Sequence, residues 1–246
     1  MRSRRFFVLL ALCALAGGAA VAPGAGQEPG AAERPQETAQ EGAARELPDT
    51  WHAQAVARTE TALNVTYFWS KGDRLRAETV VAGRRVITIV TGDTYYAYDA
   101  LLRTGIAVQR SERAVAQDAE RDRPFGNDLA AIRRQGAEKI REEPLGGGLA
   151  ELYQVTNKQG RSRLWVTKEE PQLPIRLELY RRATGADMAT DYLSWQRGLP
   201  ISDDFFRPEP GINMLVITLD EYIDRQSKHE PIGPAPVFYS DLLHGY

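Results

Sequence analysis

Cysteine is nearly absent from this 246-residue chain, and the single residue, Cys13, rules out an intramolecular disulfide and any cysteine-based zinc site. Histidine is scarce too, with three in all: His52, His229 and His244, far apart in the chain. No His-x-x-x-His or carboxylate cluster has metal-ligand spacing, so no metal and no cofactor is expected. A Gly-x-Ser-x-Gly elbow is missing, as is a cysteine nucleophile, and the chain reads as a non-enzyme. Charge of one sign is not in excess. With 31 basic and 33 acidic residues the net charge is −2, which offers nucleic acid no electrostatic footprint. The residues that remain weigh little as chemistry. The adjacent Asp203-Asp204 pair reads as a solvated turn rather than an acid/base couple, and His244 as a packing or surface histidine.

Long apolar runs are also lacking. Phe6 to Ala16 is too short for a comfortable membrane span. It follows Arg2, Arg4 and Arg5 and precedes a Gly/Ala-rich stretch, so residues 1–26 read as a cleaved secretory signal. Ser3-Arg4-Arg5-Phe6-Phe7 resembles a twin-arginine signal, and the general and twin-arginine routes stay open at this level. Leu10-Ala11-Leu12-Cys13 resembles a lipobox, although Leu12 is large for the position before a lipidated cysteine. Residues 27–50 are Ala/Glu/Pro/Gly-rich with almost no large apolar side chains, and read as a disordered linker.

What is abundant is strand pattern. Leu63–Ser70, Arg74–Val80, Arg85–Thr91, Thr94–Asp99 and Gly105–Arg110 are β-branched and aromatic runs, most of them separated by Gly-containing breaks. Val65, Tyr67 and Trp69 share one face, and Leu75, Ala77 and Thr79 oppose Arg74, Arg76 and Glu78. A second meander runs through Leu149–Asn157, Ser162–Glu169, Ile175–Arg182 and Asp187–Trp195. Trp51–Thr59 reads as a further strand. Between the meanders, Ser111–Arg123 suits a short surface helix. From Asn127, Leu129, Ile132, Gly136 and Ile140 recur at helical spacing, which predicts an amphipathic helix ended by Pro144 and Gly146-Gly147-Gly148. The fold class is α+β, mainly antiparallel β, with residues 51–211 as the body. Residues 212–246 form an extension, expected to pack on that body, with a short helix near Leu219–Gln226. Asn64-Val65-Thr66 matches a glycosylation sequon but falls within a strand.

Three segments carry a resemblance. Gly72–Gly105 holds an Arg-bearing strand, a hairpin and a strand ending in Tyr-Asp; Arg163–Tyr180 holds Trp-Val, an acidic break, Leu-Pro and a basic strand; Leu193–Gly211 closes with a strand, Phe and a Pro-Gly turn. In that order, behind a signal peptide, they resemble the LolA/LolB-like family of exported lipoprotein-carrier and lipid-binding domains. The resemblance implies an unclosed half β-barrel with lid helices over an apolar cavity. It also implies a periplasmic protein that carries or binds lipids or acylated lipoproteins, with transient membrane contact. The alternative it leaves open is an envelope sensor or interaction domain that binds a protein partner, with the tail from Met214 onward, including Pro234–Tyr239, as docking surface. The predicted cavity residues are Val65, Tyr67, Trp69, Leu75, Ile87, Ile89, Tyr96, Trp165, Leu177 and Trp195. Apolar contact needs no signature motif, and Tyr and Trp add a polar edge suited to the head of an acyl chain. Arg74 and Arg76 are expected either to solvate the sheet or to latch a lid carboxylate such as Glu112 or Asp118.

Overall fold

Hairpin chemistry organises the chain. At Ala82-Gly83 both turn residues take positive φ (49° and 79°), the two-residue geometry whose twist matches the flanking strands, and Gly146-Gly147 repeats it at 67° and 82°. In the computed structural model, which describes residues 48–228, 230, 232 and 239–245, twelve strands form one sheet, most neighbours in sequence being joined by short turns. The predicted signal at 1–26, residues 27–47 of the predicted 27–50 linker, His229 and most of Pro234–Tyr239 lie outside the described residues, while Thr50 of that linker already belongs to the first strand.

The strands are β1 (Thr50–Thr59), β2 (Leu63–Lys71), β3 (Arg74–Val81), β4 (Arg84–Thr91), β5 (Thr94–Asp99), β6 (Thr104–Gln109), β7 (Glu138–Leu145), β8 (Gly148–Thr156), β9 (Gly160–Thr167), β10 (Pro174–Arg181), β11 (Ala186–Arg197) and β12 (Asn213–Ile217). Their spatial order is β12-β6-β5-β4-β3-β2-β1-β11-β10-β9-β8-β7, antiparallel throughout except for the β12–β6 pair. Thus β1 and β11 join the two predicted meanders into one unclosed sheet, and the C-terminal run Met214–Ile217 supplies its last strand. Four short helices complete the described fold: α1 (Glu112–Asp118), α2 (Asp128–Arg134), α3 (Leu219–Ser227) and α4 (Ser240–His244).

One prediction is overturned. The amphipathic helix expected through Ile140 stops at Arg134, and Glu138–Leu145 is an edge strand paired with β8. Gly136 at φ +88° breaks the helix. The Lys/Glu-rich run beyond it has helical propensity but gains the β8 ladder instead, which outweighs the few tenths of a kcal/mol per residue that propensity offers. Of the three glycines expected to end that helix, Gly146 and Gly147 make the β7–β8 turn and Gly148 opens β8.

Register assigns every side chain to one of two faces. Trp51, Ala53 and Ala55 lead one face, continued by Phe68, Leu75, Ala77, Val90, Tyr95, Ile106 and Val108. The helices cover this face, and Phe125, Tyr222, Leu242 and Leu243 complete its main core. Farther along, α2 packs Leu129 and Ile132 on Tyr153, Val155, Leu164 and Val166. The opposite face of β3–β5 carries Ile87, Ile89 and Tyr98. It is crossed by a strap, residues 198–212, that runs from β11 to β12 and contains the 3-10 turn Asp203–Phe206.

Candidate functional site

The helix-covered face is filled from within the chain. Phe125 stacks on Phe68 at 4.9 Å and on Trp195 at 5.5 Å, and Trp195 stacks on Tyr192 at 5.8 Å. Tyr239 meets Phe68 edge-on at 5.8 Å, and the neighbouring Leu242 and Leu243 are fully buried. Burial pushes the Tyr239 hydroxyl up to about 12 and Tyr192 well above its ordinary value. The Tyr192 hydroxyl donates to Asp128 Oδ2 at 2.9 Å, and burial raises that carboxyl.

Arg110 fixes this closure. Its side chain is buried, with Nε donating to Leu242 O at 2.6 Å, Nη1 to Gly92 O at 2.6 Å and Nη2 to Ala114 O at 3.2 Å. Nη1 and Nη2 together fork onto Asp118 at 2.7 and 2.8 Å. Ser111 N donates to Leu243 O, and Ser111 Oγ caps α1 through Ala114 N. One guanidinium therefore ties α1, α4 and the β4–β5 turn together.

The ten predicted cavity residues do not gather in one hollow. Val65, Tyr67, Trp69, Ile87, Ile89, Tyr96 and Trp165 lie on the strap side of the sheet, whereas Leu75, Leu177 and Trp195 lie on the helix side. Trp69 stacks on His52 at 5.0 Å and on Tyr67 at 6.1 Å, and meets Phe205 of the strap edge-on at 5.4 Å. Ile87, Ile89 and Tyr96 pack with Ile212 and Met214, where the strap enters β12. Trp165 packs with Leu152 and Ile175, and its indole N–H donates to Glu143 at 2.5 Å.

The lid latch is also corrected. Arg74 pairs with Asp203 at 3.2 Å, and Arg76 pairs with Glu78 at 2.8 Å and Glu209 at 3.4 Å while lying over the Phe205 ring at 4.7 Å. Both arginines point away from α1, so they fasten the strap. Asp118 is taken by Arg110 instead. The Asp203 carboxylate does lie in an exposed turn, as expected, and is held below its usual range by Lys71 and Arg74.

The open concavity lies elsewhere. A cleft of about 670 Å³ is lined by Val56 and Leu63, by Leu145 and Leu149 beside the β7–β8 turn, and by Ile175, Leu193 and Trp195. This volume falls within the roughly 300–1,000 Å³ of small-molecule sites. Leu63 is 59% exposed, Leu193 45% and Leu149 39%, an apolar cluster left facing water. Arg58 and Arg176 stand at its edge, both bound to Asp191 at 2.5 and 2.6 Å. Of the predicted residues, only Trp195 lines this cleft. It arises from a register shift between His52 and Gln54 beside Ser194, whose φ is +54°. Among the described residues no three His, Asp or Glu side chains converge as metal ligands.

No family model matches the chain, and no curated protein matches it. Among solved structures, an uncharacterized conserved protein from Thermus thermophilus aligns over 70% of this chain and 92% of its own length at 11% identity, with a TM-score of 0.52. The shared fold is an unclosed, mainly antiparallel half-barrel with helices on one face. The Pseudomonas aeruginosa MucA/MucB complex aligns over 69% of this chain and 59% of that one, at 12% identity and a TM-score of 0.42. A Vibrio parahaemolyticus domain described as an outer membrane lipoprotein-sorting protein aligns over 65% and 89%, at 13% identity and a TM-score of 0.31. At those scores the last two carry no argument about the half-barrel's role.

Proposed function

We propose that the half-barrel is an exported, non-catalytic binding protein for lipids or acylated lipoproteins, taking an acyl chain in the cleft between Leu63, Leu149 and Leu193. Export rests on the N-terminal charge, apolar and small-residue pattern. The observation that carries the binding role is the cleft itself: about 670 Å³, walled by leucine, isoleucine and valine, and open to solvent. Burying an acyl chain there releases about 25 cal/mol per Å² of apolar surface and needs no reactive group. The filled interior under the helices supports a ligand site outside it. Leu193→Glu puts a carboxylate into the cleft wall at a half-exposed position, where the fold has little to lose. It is expected to weaken binding of dodecyl maltoside, followed by tryptophan fluorescence, at least tenfold, with the far-UV spectrum unchanged. Leu101→Glu, on an exposed turn outside the cleft, is the control. Equal binding by both variants would contradict the site.

A second reading, a protein-partner domain, is favoured by one feature. The β12 edge is uncharged and open, with Val216 76% and Leu215 41% exposed, while the opposite edge, β7, is guarded by Glu138, Lys139, Arg141, Glu142, Glu143 and Pro144. An extended segment of a partner adds to such an unguarded edge. Val216→Lys separates the readings, because it blocks strand addition and leaves the cleft intact.

A further inference from the structure

Buried cations are ordinarily paired, since an isolated charge in a dry site costs several kcal/mol. Arg123 is an exception. It is 6% exposed and lies over the indoles of Trp51 at 5.1 Å and Trp195 at 5.3 Å. Its Nη2 donates to Gly126 O at 3.1 Å, while Nε is buried without a partner and Nη1 makes no hydrogen bond among the described residues. No described carboxylate forms an ion pair with it. Asp49, Asp122 and Asp128 act on it only from beyond contact, and Asp128 is engaged with the Tyr192 hydroxyl. A second guanidinium, Arg197, lies over the same Trp51 ring at 5.1 Å, exposed and also without an ion pair among the described residues. Two guanidinium groups without an ion pair among the described residues thus share one indole. Trp195, against which Arg123 rests, also lines the apolar cleft, and Leu193 and Ser194 beside it do the same.

We propose that Arg123 and Arg197, held on Trp51, receive the oxyanionic headgroup, a phosphate or carboxylate, of an amphiphile whose chain lies in the adjoining cleft. The proposal rests on the acyl-binding reading and names its ligand class. Guanidinium forks match such oxyanions bidentately, and an apolar platform strengthens the contact by excluding water. The missing counter-charge is supplied by the ligand. This explains why neither arginine has an ion pair among the described residues.

The test titrates the full chain with four probes below their micellar concentrations: dodecyl phosphate, laurate, dodecyl maltoside and inorganic phosphate, read by tryptophan fluorescence. Dodecyl phosphate or laurate is expected to bind at least tenfold more tightly than dodecyl maltoside, and which of the two binds better identifies the head. Arg197→Gln and Arg123→Gln are each expected to remove most of that preference while the maltoside affinity stays within twofold. Arg197 is exposed, so its variant carries the test even where Arg123→Gln fails to fold. Equal affinities for charged and neutral amphiphiles would overturn the headgroup site and leave the acyl-binding reading standing. Failure of every amphiphile to bind would overturn both. Inorganic phosphate binding as tightly as dodecyl phosphate would show a free-anion site and overturn the proposal.

Discussion

Replacing Arg110 with Met should unfasten the helical cover of the half-barrel. The guanidinium makes five hydrogen bonds, two of them to one carboxylate, and its side chain is 1% exposed. Methionine matches much of the aliphatic stem, so little volume is lost. What remains is the Asp118 carboxylate, 11% exposed and stripped of its bidentate partner, together with the Leu242, Gly92 and Ala114 carbonyls. Removing one partner of a buried pair costs about 3–5 kcal/mol. In a domain of this size each kcal/mol moves the melting temperature by about 2–4 °C, so a fall of roughly 6–20 °C is expected. Urea denaturation followed by circular dichroism gives the free energy directly. Adding Asp118→Leu to Arg110→Met removes the stranded charge and should recover part of the loss. A destabilisation below about 1 kcal/mol, typical of an exposed ion pair, would refute the role assigned to Arg110.

Three further outcomes follow from the packing. Gly105→Ala sets a Cβ against Tyr98 Cβ and at 2.5 Å from the Ala97 carbonyl oxygen, backbone that cannot yield, and should cost about 1–3 kcal/mol in a denaturant titration. Phe205→Ala removes the strap's edge contact with Trp69 and its Arg76 stacking, and should cost about 1–3 kcal/mol, visible as easier proteolysis between residues 198 and 212. Burial of Asp99 raises its carboxyl, but the amides of Leu101 and Leu102 at 2.8 Å and Arg84 at 2.6 Å outweigh this and hold it below the usual range. Its folded form therefore binds a proton less readily than the unfolded chain. That contribution is present above about pH 4 and is lost as pH falls through the lower folded value, so Asp99→Asn should flatten the acid limb of a stability-versus-pH curve.

Most strands were legible because their signals are local. Alternation in Leu63–Lys71 and the single glycines at Gly72, Gly83 and Gly92 place β2 to β5 without tertiary information. The face assignment along each strand was legible for the same reason. What the sequence could not show was how faces combine across strands: Trp69 and Leu75 both read as cavity residues, yet the register sets Trp69 opposite Arg76 and Leu75 opposite Ser70. A one-residue difference in pairing sends a side chain to the other face. Glu138–Leu145 misled because its Lys and Glu residues favour helix in isolation, while its pairing partner, Gly148–Thr156, comes later in the chain. The cleft was invisible because it depends on an irregularity at Ser194 and on the β7–β8 turn approaching β1 and β11. Arg123 gave no signal either, as an unpaired arginine is defined only by what surrounds it.

The measurement that bears most directly on the binding role is native mass spectrometry of the full chain isolated gently from its own cell envelope, followed by solvent extraction. One acyl-chain lipid or acylated peptide per protein is expected, lost from the Leu193→Glu variant. A folded protein that arrives empty and takes up no added amphiphile would contradict the binding role.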